Sequence, residues 1–351
     1  MTECDRMSIV TNLGFWGKIE KPVIALAPLA NVTDAAFRRI IAKYSRMGAP
    51  DGGPDVLWTE FVSADGLVLA DPKGKQKLLF DLIFSESERP IVAQIFGGNL
   101  STIEKAANIA AGMGFNGLDI NMGCPDRAVE KQCAGAALIK NPKLAREIIR
   151  SAKKGIDASG KKIPLSVKTR IGYGKNELDN WLPELLSEEP AVITIHARTR
   201  KEMSLVPARW DSIKRAVEIR NNAESKTLIF GNGDVFDVAS AVQKAKETGC
   251  DGVMLGRAIF GNPFLFAPHK YYEDKTESEK IKMKLSVAVE HAKLFEELLS
   301  GVKNFSIMKK HFKAYSSGFT GAKELRLKLM ETQNANQVKD AIYDFLKNFI
   351  K

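Results

Sequence analysis

Eight short apolar runs, rich in β-branched residues, recur along the first three quarters of the chain. They cover residues 23–30, 55–61, 91–97, 117–123, 164–172, 191–199, 227–235 and 252–259. Short apolar runs bounded by polar and turn residues predict buried strands. Strands that alternate with helices are typical of a parallel α/β fold.

The stretches between these runs carry apolar residues at helical spacing, and several open with residues that favour a helix N-terminus. They include residues 34–47, 101–113, 141–154, 211–220 and 237–248, with Asp34, Asn99, Asn141 and Asp211 as predicted N-caps. Eight strand–helix units in about 260 residues predict a (β/α)8 TIM barrel. An open doubly wound sheet is the alternative, but no GxGxxG motif follows the first strand.

The pattern changes after the eighth run, where apolar residues recur only at helical spacing. Breaks at Gly301, Gly318 and Gly321 divide this part into about four helical pieces, which predicts a small C-terminal α-helical bundle domain. We therefore predict a barrel domain at residues 1–269 and a helical domain at residues 270–351.

Charge adds a candidate partner to this picture. The 351 residues carry a formal net charge of +10. Residues 270–351 contain 16 Lys and Arg against 11 Asp and Glu, so they hold +5 of that excess. A basic surface favours a polyanion such as nucleic acid, and a basic soluble protein without such a partner is the alternative.

Cysteine usage and hydropathy predict a location inside the cell. Cys4, Cys124, Cys133 and Cys250 form no CxxC pair and have no histidine at metal-ligand spacing, so we expect reduced thiols and no metal site. No run approaches the length of a membrane span, and the first ten residues lack the apolar stretch of a signal peptide. We expect a cytoplasmic protein.

Polar residues stand at the predicted carboxyl ends of the later strands. They are Asn121 and Cys124 after the fourth strand, Lys168 and Arg170 on the fifth, His196 and Arg198 on the sixth, Asn232 to Asp234 on the seventh, and Gly256 and Arg257 after the eighth. In a TIM barrel the loops at this end form the active face. We therefore expect these side chains to converge on one site.

Two glycine-rich segments, residues 230–234 and 254–263, follow the seventh and eighth strands. Glycines let backbone N–H groups approach an anion, and Arg257 adds a charge-assisted donor. These segments predict a phosphate site. The phosphate of a flavin and that of a sugar fit this pattern equally well.

Lys168 and Cys124 are the candidates for chemistry. A lysine in an apolar strand end requires an acid or a ligand, and both a flavin-facing cation and a Schiff-base lysine fit that requirement. His196 is either a ligand contact or a satisfied core residue. Cys124, between a strand and Pro125, is predicted to be chemically active, and Cys133 to be buried filler.

Short motifs along the chain support a family assignment. They are APLANVTD (27–34), TEFVSADGL (59–67), AQIFG (93–97), NMGCP (121–125), SVKTRIG (166–172), IHART (195–199), NGD (232–234), LGRAIFGNP (255–263) and HFKAYSSGFTGAKELRLKL (311–329). In this combination and order the chain resembles the FMN-dependent tRNA-dihydrouridine synthases over roughly residues 23–345.

The resemblance implies an enzyme that uses FMN, reduced by NADPH, to saturate the C5–C6 bond of a uridine in tRNA. It implies flavin-ring contacts at Pro28, Leu29, Ala30, Gln94, Lys168 and His196, and phosphate contacts at Asn232, Gly233, Asp234, Gly256 and Arg257. It further implies Cys124 as general acid and substrate contacts at Asn121, Arg170, Arg198, Lys309, Lys310 and Lys313. Residues 1–269 become an FMN-binding catalytic domain and residues 270–351 a tRNA-binding domain.

Two features depart from the family pattern. The family usually has an aromatic residue and a glycine where residues 204–207 read Ser-Leu-Val-Pro, and residues 47–54 look longer than usual. The uridine position, the preference for NADPH over NADH and the oligomeric state stay open, with a monomer expected. A dihydroorotate dehydrogenase-like enzyme acting on a free pyrimidine and a non-catalytic RNA-binding barrel are the alternative functions.

Overall fold

A computed structural model describes residues 13–349 of the chain. Cys4 and the ten N-terminal residues considered for a signal peptide lie outside this range. Eight strands follow one another along the chain: β1 Val23–Leu26, β2 Leu57–Ser63, β3 Ile91–Phe96, β4 Gly117–Asn121, β5 Leu165–Arg170, β6 Val192–His196, β7 Leu228–Asn232 and β8 Gly252–Leu255. Each falls within or overlaps one of the eight predicted runs.

All pairings in the sheet are parallel, and the order of strands is β1-β8-β7-β6-β5-β4-β3-β2. A parallel bridge between Ala25 of β1 and Val56, which directly precedes β2, joins the two remaining edges. The strands therefore close into a barrel with helices between them, and the predicted (β/α)8 TIM barrel is confirmed.

Helices follow the strands as the apolar spacing predicts. They are α1 Ala35–Tyr44, α2 Ala64–Leu69, α3 Pro72–Phe80, α4 Leu100–Gly112, α5 Arg127–Glu130, α6 Pro142–Ala158, α7 Leu178–Leu186, α8 Trp210–Asn222 and α9 Val238–Thr248. Asp34, Asn99 and Asn141 cap their helices through side-chain oxygens, as predicted. The prediction for Asp211 was wrong, because α8 begins one residue earlier and Asp211 lies in its first turn.

The amino ends of the strands enclose an aromatic cluster. The Trp16 ring packs 5.6 Å from Trp58 and 5.5 Å from Phe230, measured between ring centroids. Residues at the starts of strands, such as Val23 and Val192, complete this buried cluster. Because apolar side chains fill this end of the barrel, a polar active site is expected at the carboxyl ends of the strands.

The chain divides into two compact units. The barrel unit contains the residues up to Pro28, Asp55–Leu82 and Arg89–Gly256. The helical unit contains Leu29–Pro54, Ile83–Glu88 and the residues from Arg257 onward. The helical unit thus takes in more of the chain than the segment after residue 270, since it also includes helix α1.

Among its described residues, the helical unit contains five α-helices after the barrel strands: α10 His269–Tyr272, α11 Glu277–Leu299, α12 Met308–Tyr315, α13 Ala322–Glu331 and α14 Ala335–Phe349. Its buried core joins Ala36 and Ile40 of α1 to Phe295, Phe312 and Leu325 of the later helices. The predicted C-terminal helical bundle is confirmed. No helix within residues 13–349 is both long and apolar enough to cross a membrane.

Candidate active site

Strand register places the predicted polar residues side by side in the barrel unit. Asn121 of β4 lies beside Lys168 of β5. Arg170 lies beside His196 of β6, which in turn lies beside Asn232 of β7. The carboxyl ends of four neighbouring strands therefore bring these five side chains to one edge of the barrel.

Cys124 lies on the loop that follows β4, and its backbone is held on both sides. Its amide N donates to Asn121 Oδ1 over 2.8 Å, and its carbonyl accepts from the amide of Ala136 over 2.9 Å. Gly135 has a φ of +60°, and a Cβ there would lie 2.7 Å from the Cys124 carbonyl oxygen. Glycine at position 135 is thus required by both backbone conformation and space.

The Cys124 thiol is partly buried against Phe61, Phe96 and Val129. Burial raises its pKa above the ordinary thiol value, and the nearby Arg170 guanidinium opposes that rise. The thiol is therefore protonated at neutral pH. It is suited to donating a proton rather than to acting as a thiolate nucleophile.

Cys133 differs from the prediction. Its side chain is exposed and its φ is +55°, at the end of the turn that follows α5. The prediction of buried filler was wrong, because the segment before Gly135 turns back at the surface. Cys250, in contrast, is buried.

Lys168 Nζ lies 3.3 Å from Asn232 Oδ1. The Asn232 amide is oriented by its other end, since Nδ2 donates to the Met254 carbonyl over 2.7 Å. Burial and the positive charge of Arg170 lower the pKa of Lys168 to about 8. The amine is therefore mostly protonated at neutral pH and loses its charge in mildly alkaline solution.

Asp119, which sequence reasoning missed, is an acid whose negative charge favours the protonated form of Lys168. Its fully buried carboxylate accepts from Gln94 Nε2 over 2.6 Å and from Ser166 Oγ over 2.5 Å. Burial raises the pKa of Asp119 to about 6, against the lowering effect of these bonds and of Lys168. The signal was present in the sequence as a carboxylate inside an apolar strand, GLDIN.

The Arg170 side chain donates hydrogen bonds to the backbone of the loops after β4 and β6. Its Nε donates to the Gly123 carbonyl over 2.8 Å, and its Nη1 donates to the carbonyls of Thr199 and Met203 over 3.1 and 3.0 Å. Arg170 is 7% exposed, and its guanidinium connects the thiol loop to the loop after β6. Its side chain therefore has a structural role in addition to any contact with substrate.

Arg198 is likewise buried, at 2% exposure. Its Nε donates to the Val206 carbonyl over 2.6 Å and its Nη2 to Asp234 Oδ2 over 2.5 Å. Its Nη1 lies 3.2 Å from His196 Nε2. A guanidinium only donates, so His196 Nε2 accepts and the ring proton resides on Nδ1.

The residues that depart from the family pattern, 204–207, form an exposed loop. Leu205 is 87% exposed, whereas the carbonyls of Met203 and Val206 on either side are held by Arg170 and Arg198. The two ends of the loop are thus held by hydrogen bonds, and its apolar tip is exposed to solvent.

The backbone after β7 is shaped by positive φ angles at Gly233 (+125°) and Asp234 (+50°). A Cβ on Gly233 would lie 2.9 Å from the Ala208 Cβ, and the Gly233 carbonyl accepts from Trp210 Nε1. The Asp234 carboxylate binds Arg198 and the Ala208 amide. Any anion at this turn would therefore be bound by backbone amides rather than by the Asp234 side chain.

The other predicted cofactor residues divide between the units. Pro28 and Gly256 end segments of the barrel unit, whereas Leu29, Ala30 and Arg257 begin segments of the helical unit. Arg257 is exposed.

Three predicted tRNA contacts lie on α12 of the helical unit and differ in their surroundings. Lys313 is exposed and Lys309 is partly buried. Lys310 Nζ donates to the carbonyl of Asn31 over 2.8 Å, within the same unit. That bond holds the turn directly after Ala30.

Within residues 13–349 there is no group of three or more His, Cys, Asp or Glu side chains arranged to hold a metal ion.

Comparison with known proteins identifies relatives of this chain. The family model described as "Dihydrouridine synthase (Dus)" matches residues 25–350. A Bacillus subtilis (strain 168) protein named "Probable tRNA-dihydrouridine synthase 2" is 36% identical over 338 residues, covering 96% of this chain and 98% of that protein. A Staphylococcus aureus (strain MRSA252) "Probable tRNA-dihydrouridine synthase" is 36% identical over 333 residues, covering 94% and 95%. The chain therefore belongs to the dihydrouridine synthase family.

Proposed function

We propose that this protein reduces the C5–C6 bond of a uridine in tRNA, with FMN as the bound cofactor and NADPH as the reductant. The observation that carries the proposal is the partly buried thiol of Cys124 on a strand-end loop that Arg170 binds through the Gly123 carbonyl and that has Lys168 as a charged neighbour. The relatives named tRNA-dihydrouridine synthase along nearly the whole chain support the same reaction.

The strand ends fit a flavin. Lys168 presents a cation, and His196 carries its ring proton on Nδ1 because Nε2 accepts from Arg198. Gly233 lets the turn after β7 pack closely against Ala208 and His196, where a Cβ would not fit. FMN bound there would supply the hydride for C6 of the pyrimidine. Lys168 would stabilise negative charge on the ring system, and Asn232 to Asp234 with Gly256 and Arg257 would hold the phosphate.

Cys124 supplies the proton for C5. Reduction at C6 leaves negative charge shared between C5 and the C4 carbonyl oxygen, and the S–H bond breaks as the C5–H bond forms. The resulting thiolate is stabilised by Arg170 and regains its proton from solvent. Asn121 and Arg198 are proposed as substrate contacts from their places beside Lys168 and His196.

The target base lies in folded RNA, so it must leave its stack to reach the thiol. The net charge of +10 favours binding of the RNA backbone. Lys309 and Lys313 of α12 are proposed to contact phosphates, and residues 270–351 are proposed as the tRNA-binding domain. Residues 1–269 are proposed as the catalytic domain.

Purification distinguishes the proposed function from its rivals. A yellow protein that NADPH bleaches and that converts uridine to dihydrouridine in tRNA supports it. A yellow protein that reduces or oxidises free pyrimidines without binding tRNA would indicate the dihydroorotate dehydrogenase-like activity. A colourless protein that binds tRNA would indicate a non-catalytic barrel.

A further inference from the structure

Asp119 lies at the start of a chain of side-chain hydrogen bonds that ends at the thiol loop. Gln94 Nε2 donates to Asp119 Oδ2 over 2.6 Å, and Gln94 Oε1 accepts from Asn121 Nδ2 over 3.0 Å. Asn121 Oδ1 accepts the amides of Gly123 and Cys124 over 3.0 and 2.8 Å. All of these atoms belong to the barrel unit.

The direction of this chain follows from the groups at its ends. An ionised carboxylate only accepts hydrogen bonds, so Gln94 must turn its NH₂ group towards Asp119. Its carbonyl oxygen then faces Asn121, which must present its own NH₂ group and turn its oxygen to the loop. The backbone amides of Gly123 and Cys124 can only donate, so both ends require the same orientation. Gln94 and Asp119 are fully buried, so water does not compete for the bond between them.

A second relation joins Asp119 to Lys168. Asp119 lies opposite Ser166 in the sheet register and accepts a hydrogen bond from its hydroxyl. Lys168 lies two residues further along β5, so its side chain leaves the same face of the strand as Ser166. The carboxylate and the ammonium therefore share the barrel interior, and each favours the charged form of the other.

We propose that Asp119 is a positioning residue with two separable roles. It is the acceptor that orients Gln94 and Asn121 and thereby holds the Cys124 loop, and it is the counter-charge that keeps Lys168 protonated. The inference rests on the proposed function only for its catalytic consequence, because both roles concern atoms of the protein alone.

Two substitutions at one position separate the roles. Asp119→Leu has a similar size but offers no acceptor, so Gln94 loses its partner and the bonds to the Cys124 loop weaken. Asp119→Asn still offers an oxygen to Gln94, and its NH₂ group can donate to Ser166, but it carries no charge. We therefore expect Asp119→Asn to retain the hydrogen bonds that hold the Cys124 loop but to lack the negative charge near Lys168.

The first measurement is the rate of Cys124 alkylation by iodoacetamide, followed by mass spectrometry of the full-length protein. In Asp119→Leu we expect a rate about tenfold above wild type, corresponding to about 1.4 kcal/mol or roughly one net hydrogen bond. Asp119→Asn is expected to stay within about threefold of wild type, since its oxygen still accepts. The exposed Cys133 is the internal reference and should react equally in every variant.

The second measurement is the pKa of Lys168, obtained from competitive labelling of amines with acetic anhydride over a pH series, with exposed Lys201 as reference. Both Asp119 variants are expected to lower that pKa, because both remove the negative charge. Ser166→Ala keeps the Gln94 bond but removes a bond that lowers the pKa of Asp119. It should leave the Cys124 alkylation rate unchanged and lower the Lys168 pKa less than either Asp119 variant does.

Gln94→Met removes the middle of the chain of hydrogen bonds without altering charge. If Asp119→Leu does not fold, this variant tests whether the hydrogen bonds hold the Cys124 loop. We expect it to accelerate Cys124 alkylation as Asp119→Leu does and to leave the Lys168 pKa largely unchanged. An unchanged alkylation rate in Gln94→Met, or an unchanged Lys168 pKa in Asp119→Asn, would overturn the corresponding role. Neither labelling reaction requires FMN, NADPH or tRNA, so failure here is distinct from failure of the proposed function.

Discussion

Candidate functional groups are largely buried at the carboxyl ends of the barrel strands but partly or fully exposed on the lysine-bearing helix α12. At the strand ends, Lys168, Arg170 and Arg198 are largely buried, and protein atoms contact each of them. On α12, Lys313 is exposed, whereas the Lys310 side chain donates to the backbone carbonyl of Asn31. Buried charges require specific geometry, whereas exposed charges act mainly through their number and field. Single substitutions should therefore be severe in the first region and mild in the second.

The largest effect is expected at Cys124. Cys124→Ala removes the proposed proton donor, and we expect dihydrouridine formation to fall by about 10²–10⁴-fold, while NADPH still reduces the flavin. Dihydrouridine in tRNA digests is measured by mass spectrometry. Cys133→Ala is the matched control, and equal losses in both variants would contradict the assignment.

A pH series tests the buried charges of the strand ends. Lys168, with its pKa lowered to about 8, must be protonated to act as a cation, so the rate should fall as pH rises above that value. Asp119, with its pKa raised to about 6, must be ionised to accept from Gln94, so the rate should fall below that value. We expect a bell-shaped profile of kcat/KM with an optimum between these limits. A flat profile from pH 5 to 9 would remove both groups from the reaction.

Substitution of Lys310 tests whether the lysines of α12 share one role. Lys310→Met removes the bond to the Asn31 carbonyl, which holds the turn after the proposed flavin contacts Leu29 and Ala30. We expect FMN to dissociate about tenfold more readily, the effect of losing one charge-assisted hydrogen bond, with fluorescence of released FMN as the measure. Unchanged FMN affinity together with a reduced salt dependence of tRNA binding would make Lys310 a phosphate contact instead.

Lys313 should show the smallest effect. Because it is exposed, Lys313→Gln should leave FMN affinity unchanged and weaken tRNA binding only a few-fold, with the salt slope reduced by somewhat less than one. Binding curves at several salt concentrations supply both numbers. A loss as large as that of Cys124→Ala would abolish the distinction between the two regions.

Sequence reasoning worked where periodicity and strand direction determine the outcome. The eight apolar runs predicted the barrel, and the rule that parallel strands end at one edge predicted that Asn121, Lys168 and His196 would meet. The helical spacing after the eighth strand likewise predicted the bundle. Each of these features depends on local pattern, which a single sequence contains.

The sequence did not predict features that depend on contacts between distant residues. Asp119 gains its importance from Gln94 and Ser166, which lie 25 and 47 residues away. Lys310 is set apart from Lys313 by a carbonyl 279 residues away. Cys133 was wrongly placed inside because it lies in a surface turn with positive φ at Cys133 and Gly135, a backbone conformation that hydropathy does not reveal.

The reaction itself supplies the most direct test of the account. Purified protein with FMN and NADPH is added to tRNA from cells that lack this protein. The tRNA is then digested and its nucleosides are analysed by mass spectrometry, with a parallel reaction in D₂O. We expect one uridine to gain two hydrogens, with solvent deuterium at C5 in the D₂O reaction, and Cys124→Ala to form this product about 10²–10⁴-fold more slowly. Unchanged tRNA with the wild-type protein, or conversion by Cys124→Ala at the wild-type rate, would contradict the account.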